Sequence, residues 1–114
     1  MNQEIKFAPD LFKMVKSGRK TTTIRKGLRK YTLGPVMFVT DPPDKRGMVK
    51  TAKGFITKVE LKQFKHLKTD EAQQAGYECL RYLGMRLRDI YPDIDLESEV
   101  TKVEFMLEGE DEQC

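Results

Sequence analysis

Apolar residues recur along this chain in two rhythms, and each change of rhythm marks an element. Ile5-Lys6-Phe7 alternates and predicts a short strand. From Ala8 to Ser17, Leu11, Phe12 and Val15, joined by Met14, form a stripe at helical spacing with Lys13 and Lys16 outside it. Pro9 suits the first turn of that helix, and Gly18 can take the positive φ that closes one. The β-branched run Thr21-Thr22-Thr23-Ile24 then predicts a turn from helix into a strand reaching Arg25. Lys26 to Lys30 reads as a basic loop, after which Tyr31 either anchors the core or stacks on a base. Gly34 to Thr40 is apolar on both faces and predicts a buried strand, with Pro35 at its start or on an edge.

Asp41 to Gly47 has loop composition and extends to Ala52. Gly54 to Leu61 alternates, with Phe55, Thr57, Val59 and Leu61 inward, Lys58 and Glu60 outward, and Ile56 out of step. Phe64 and Leu67 are expected to pack beneath this strand. Thr69 or Asp70 caps the next helix, Asp70 and Gln73 having capping-box spacing. After Gly76 a longer helix runs to Tyr91. It has Leu80, Leu83, Leu87 and Ile90 on one face and Arg81, Arg86, Arg88 and Asp89 largely outside it; Pro92 stops it. Val100 to Leu107 predicts a last strand with Thr101, Val103, Phe105 and Leu107 inward and Lys102 and Glu104 outward. Strands interrupted by helical segments give an α+β domain.

Composition sets the class. A chain of 114 residues, 39% hydrophobic and 34% charged, is expected to be one folded, soluble domain over residues 1–107 with an acidic, disordered tail at 108–114. No run approaches the ~20 apolar residues that span a bilayer, and no apolar segment opens the chain, so neither membrane insertion nor secretion is expected. Cys79 and Cys114 offer no disulfide framework, which fits a reducing cytoplasm, and His66 stands alone, so no metal or other cofactor is expected. A monomer is the favoured state. Charge is unevenly spread. Leu11 to Thr40 holds eight lysines and arginines and no acid, whereas Asp93 to Cys114 holds nine acids and one base. The first region suits phosphate contacts and the second repels them.

The densest chemistry lies in Gly18-Arg19-Lys20-Thr21-Thr22-Thr23-Ile24-Arg25, whose three cations and three hydroxyls offer donors to an anionic or carbonyl-bearing ligand. The pattern Gly18-x-Lys20-x-x-x-x-Arg25 resembles the signature of the ASCH family, whose domains are similar to the PUA fold. Weaker likeness in order and spacing runs through Gly54-Phe55-Ile56 and Ile90-Tyr91-Pro92 to Val103-Glu104-Phe105. The resemblance implies a small PUA-like barrel of about five to six strands with two to three helices. Family members often carry an aspartate after the glycine that here precedes Pro35.

Three functions follow as expectations. The resemblance implies a basic cleft that holds RNA or a modified nucleoside. Its binding residues would be Gly18, Arg19, Lys20, Thr21, Arg25, Arg29, Lys30, Tyr31, Lys45 and Arg46, with Tyr77 a second stacking candidate. Alternatively, similarity to the small bacterial N4-acetylcytidine amidohydrolases implies Lys20 as base and Thr23 as nucleophile. The proton donor of that branch aligns with Ala75, leaving Glu71 or Glu78, one helical turn to either side, as substitutes. A lysine serves as base only where desolvation or neighbouring cations such as Arg19 and Arg25 depress its pKa. Residues three apart on a strand point to opposite faces, so Lys20 meets Thr23 only from the turn after Gly18 or across a bulge. The third expectation is a protein-interaction adaptor using the acidic end.

Overall fold

A computed structural model describes residues 3–43 and 45–108 of the chain. In order these form β1 (Gln3–Phe7), α1 (Pro9–Ser17), β2 (Thr22–Lys26), β3 (Gly34–Thr40) and β4 (Thr51–Gln63). A 3-10 turn (Phe64–His66), α2 (Thr69–Gln74), α3 (Leu80–Ile90) and β5 (Glu99–Leu107) follow. The acidic tail from residue 109 onward lies outside the described residues. None of the helices among them is long and apolar enough to cross a membrane.

Sequence chemistry explains the first elements directly. Pro9 occupies the first turn of α1, and Gly18 closes the helix at φ 83°, its N–H bonded to Val15 O at 3.2 Å. The chain then turns back on itself, Lys20 N–H donating to Met14 O at 3.1 Å, before β2 begins at Thr22.

The five strands make one sheet in the order β1-β3-β4-β5-β2. β1 pairs with β3 in parallel, and the other pairs are antiparallel. The sheet curls until its two edges, β1 and β2, face one another. They do not zip together. Arg25 of β2 instead reaches across, its Nη2 donating to Lys6 O of β1 at 2.7 Å. The result is an α+β half-barrel with three helices: the pattern predicts the α+β class, and the resemblance implies the barrel.

Two apolar cores lie on the two faces of this sheet. The inner one joins Ile5, Phe7, Phe12, Val15, Phe38, Val103 and Phe105, with the Phe38 and Phe105 rings 4.8 Å apart. The outer one joins Ile24, Phe64, Leu67, Ala72, Leu83, Leu87 and Val100 beneath α2 and α3. Cross-strand register divides β2 and β5 between them: Thr23 pairs with Val103, and Ile24 with Lys102. At Gly54 in β4 a Cβ would collide with Met106 O of β5 and the Phe38 ring of β3.

Four expectations need correction. In β4 the buried residues are Ala52, Gly54 and Ile56, not Phe55 and Thr57, because a bulge between Ile56 and Lys58 shifts the register. Val59 packs against the inner core only beyond that bulge, and Leu61 is exposed. In β5, Lys102 is buried with Val100, since the helical layer covers the face that alternation assigned to solvent. The α2 cap is neither Thr69 nor Asp70: Glu71 Oε1 accepts from the Lys68 N–H at 2.8 Å, so the box closes two residues earlier than Asp70 and Gln73 implied. In α3 only the middle of the stripe is covered, Leu80 and Ile90 remaining 36% and 50% exposed.

Candidate functional site

Lys20 sits in the turn between Gly18 and β2, outside the strand's alternation, and this frees it to share a space with Thr23. It is 3% exposed. Its Nζ donates to Thr22 O and Ala75 O, both at 2.8 Å, and lies 5.5 Å from the Phe7 ring centroid and 6.0 Å from that of Tyr77. None of these contacts is a carboxylate. Burial, with Arg25 and then Arg86 adding repulsion, pushes the Lys20 ammonium down to about 7.

Lys20, Thr23 and Arg25 line one cavity of about 400 Å³ at the seam between β1 and β2. Tyr77, Arg86, Tyr91, Phe7 and Asp41 are also in the lining. Arg25 is held by Lys6 O and lies 5.4 Å from the Phe7 ring centroid, while its buried Nε–H finds no partner among the described residues. A buried donor without an acceptor is costly. Burial raises the Tyr77 phenol against the opposing effect of Arg86, so it stays protonated and can donate.

The two candidate proton donors are elsewhere. Glu71 is buried on the Ile24 side of the sheet, where its Oε2 accepts from Lys62 Nζ and Lys102 Nζ at 2.7 Å each. Burial would raise its pKa, but the bonds from Lys102, Lys62 and the Lys68 N–H outweigh that and hold it at about 2. A carboxyl ionised at every ordinary pH has no proton to give. Glu78 is exposed and shares a shallow surface depression with Arg19, Gln73 and Tyr77, outside the lining of the Lys20 cavity. Arg19 therefore does not supply the cationic neighbourhood expected of it; Arg86 does.

The remaining predicted contacts scatter. Gly18 is exposed and shapes the turn, and Thr21 is exposed with its N–H on Gln74 O. Tyr31 packs against the inner core. Arg29 touches the cavity only through Tyr91, Nη2 lying 3.3 Å from that hydroxyl, and Lys30 is exposed. Lys45 and Arg46 line a separate groove beside α1. Part of the basic run is neutralised internally, Lys26 pairing with Asp93 at 2.9 Å. Arg86, Asp41 and Tyr91 were missed. Arg86 lies three residues after Leu83, near enough to the apolar stripe to turn inward, and that spacing was its available signal.

No protein-family model and no curated protein matches the sequence. Solved structures match its fold. An ASCH domain from Lactobacillus crispatus superposes at a TM-score of 0.70 with 15% identity, covering 92% of this chain and 78% of that one. A protein from Enterococcus faecalis gives 0.68 and 16% identity over 95% of this chain and 81% of that one. ASCH from Zymomonas mobilis gives 0.67 and 16% over 91% and 68%.

Proposed function

We propose, on the premise of the ASCH-like, PUA-like fold shared with those structures, that the seam cavity receives a modified nucleoside, free or within RNA. The observation that carries this reading is the meeting of Lys20, Thr23 and Arg25 in one half-enclosed space, with no carboxylate among the described residues bonded to Lys20. As an ammonium, Lys20 has a third N–H left after Thr22 O and Ala75 O are served, and it points that donor at a ligand oxygen. The Arg25 guanidinium, in the same lining, provides further donors. Tyr77 and Tyr91 give aromatic walls against which a base can stack.

A second reading, amide hydrolysis, is favoured by the position of the Lys20 pKa at about 7. As a neutral amine Lys20 has two N–H bonds, both spent on the two carbonyls, and a lone pair left for the cavity. It would take the Thr23 hydroxyl proton as the threonine oxygen forms a bond to the acyl carbon. The same ammonium would return that proton to the departing nitrogen as the amide C–N bond breaks. Water would then release the acid from the acyl-threonine. One lysine acting in both directions replaces the separate donor that Glu71 and Glu78 do not provide.

Incubating the protein with N4-acetylcytidine separates the readings. Titration calorimetry is expected to detect binding that is lost in Lys20→Ala. Absence of binding by wild type overturns the nucleoside assignment. Release of cytidine and acetate that disappears in Thr23→Ala, with binding retained, establishes hydrolysis. Binding without release leaves the cavity a recognition site.

A further inference from the structure

The shallow depression beside the seam cavity, about 340 Å³, is lined by Arg19, Gln73, Gly76, Tyr77 and Glu78. Two stretches far apart in sequence make it: the turn that follows α1, and the end of α2 with its connection to α3. Thr21 N–H donates to Gln74 O and Lys20 Nζ to Ala75 O, each at 2.8 Å, and these bonds pin the two stretches together. Within the second stretch Gln73 Nε2 donates to Glu78 O at 3.3 Å. Depression and cavity adjoin closely. Tyr77 lines both, Arg19 of the depression precedes Lys20 of the cavity, and Gly76 of the depression follows Ala75 of the cavity. The Arg19 guanidinium and the Glu78 carboxylate are exposed, and neither is bonded to another side chain among the described residues.

We propose that this depression holds the ribose of a nucleoside whose base enters the cavity, Glu78 accepting from the vicinal 2′- and 3′-hydroxyls; the proposal rests on the nucleoside reading above and narrows it to the free ribonucleoside. The mixture of charges selects the group. A phosphate would gain Arg19 but meet Glu78, and an ammonium would gain Glu78 but meet Arg19. A pair of hydroxyls satisfies both. Each O–H donates to one oxygen of the carboxylate, and each hydroxyl oxygen still accepts from the guanidinium. Gln73, with one N–H spent on Glu78 O, keeps its amide oxygen as a further acceptor. Tyr77 joins the two sites, its ring 6.0 Å from Lys20 Nζ on the cavity side. Contact with the 2′-hydroxyl distinguishes ribose from deoxyribose. Inside an RNA chain the 3′-oxygen belongs to a phosphodiester, which removes one donor and brings a negative charge to the carboxylate. Glu78 is thereby a specificity residue, placed outside the cavity where proton transfer to the amide would have required it.

Titration calorimetry on the full chain tests this with four ligands: N4-acetylcytidine, its 2′-deoxy analogue, its 3′-phosphate, and the bare base N4-acetyl-1-methylcytosine. The ribonucleoside is expected to bind about tenfold tighter than the 2′-deoxy analogue, the scale of one charge-assisted hydrogen bond. It should also bind tighter than the 3′-phosphate. Glu78→Ala should erase both preferences and leave the affinity for the bare base as it was. The thermal melt should stay unchanged in that variant, which controls for folding, since Glu78 is exposed. Equal affinity of the wild type for the ribonucleoside and its 2′-deoxy analogue overturns the ribose site, as does a preference that survives Glu78→Ala. In either case, bare-base binding that is lost in Lys20→Ala keeps the cavity reading standing without it. A 3′-phosphate that binds as tightly as the nucleoside overturns the restriction to the free form. Failure of all four ligands to bind removes the nucleoside reading and the ribose site with it.

Discussion

Two lysines are buried beside the β2–β5 pair, and they differ in what surrounds them. Lys102 is 6% exposed and has Glu71 at 2.7 Å, Glu60 at 3.4 Å and Glu104 at 3.5 Å. Burial would lower its pKa, but the bond and charge of Glu71, with Glu60 and Glu104 behind it, raise it instead. Lys20 is 3% exposed and is bonded to two carbonyl oxygens, with two arginines as its charged neighbours. Depth of burial is nearly the same. The counter-ion decides the outcome: Lys102 is fixed as a cation inside a closed network, while Lys20 is balanced between two protonation states at the wall of a cavity. A buried charge becomes available for chemistry where its partner has been left out.

The strongest way to break the comparison is to remove a counter-ion. Glu71→Ala leaves Lys102 buried without its nearest carboxylate and should cost about 3–5 kcal/mol in urea denaturation. The double variant Glu71→Leu with Lys102→Met should cost less than the single one, because it removes the charge along with its partner. A double variant as unstable as the sum of the singles would mean that the network contributes shape rather than charge balance.

Next in size is a pH effect that belongs to Lys20. Its folded pKa lies below its unfolded value of 10.5, so the unfolded chain binds the extra proton between about pH 7 and 10.5 and the burden on the fold eases as pH rises. Relative to Lys20→Met, the wild type should gain about 2 kcal/mol between pH 7 and 9. Parallel stability curves for the two proteins would show that Lys20 titrates as an ordinary lysine.

Arg25 sharpens the comparison from the other end, being a cation anchored by a backbone oxygen across the seam. Arg25→Lys removes the planar fork that reaches Lys6 O and should cost about 1–2 kcal/mol. The smallest expected effect is at Thr22, 1% exposed with a hydroxyl that finds no partner among the described residues. Thr22→Val should stabilise the protein by about 0.5–1 kcal/mol, measured as a rise in melting temperature, because an unpaired hydroxyl leaves the interior. Loss of stability would show that the hydroxyl has a bound water as its partner.

Much of this contrast was out of reach of pattern reading. Elements governed by local signals were legible: the stripe from Leu11 to Val15, Gly18 as its stop, and the apolar run of β3 all appear where their residues predict them. Lys20 and Thr23 were paired by the family resemblance, and of the two routes that alternation left open, the turn after Gly18 is the one the structure takes. Lys102 was not legible. Its flanking residues alternate as in a one-faced strand, and only the packing of α2 over the second face buries it. The β4 bulge left a trace in Ile56, the residue out of step, but a single exception does not locate a register shift. Glu71 was misplaced for a related reason. Helical spacing put it one turn from Ala75, yet spacing along a helix does not tell which side of a sheet the helix covers.

The oxygens that orient Lys20 belong to peptide groups, at residues 22 and 75. Side-chain substitutions at either position leave those acceptors in place, and only movement of the β2 or α2 backbone withdraws them. The anchors thus survive any change of side chain that the packing around buried Thr22 and Ala75 accommodates, but not insertions or deletions that shift α2. A variant library across residues 69–76 should lose nucleoside binding with length changes, and with replacements only where packing is lost, as at buried Glu71, Ala72 and Ala75.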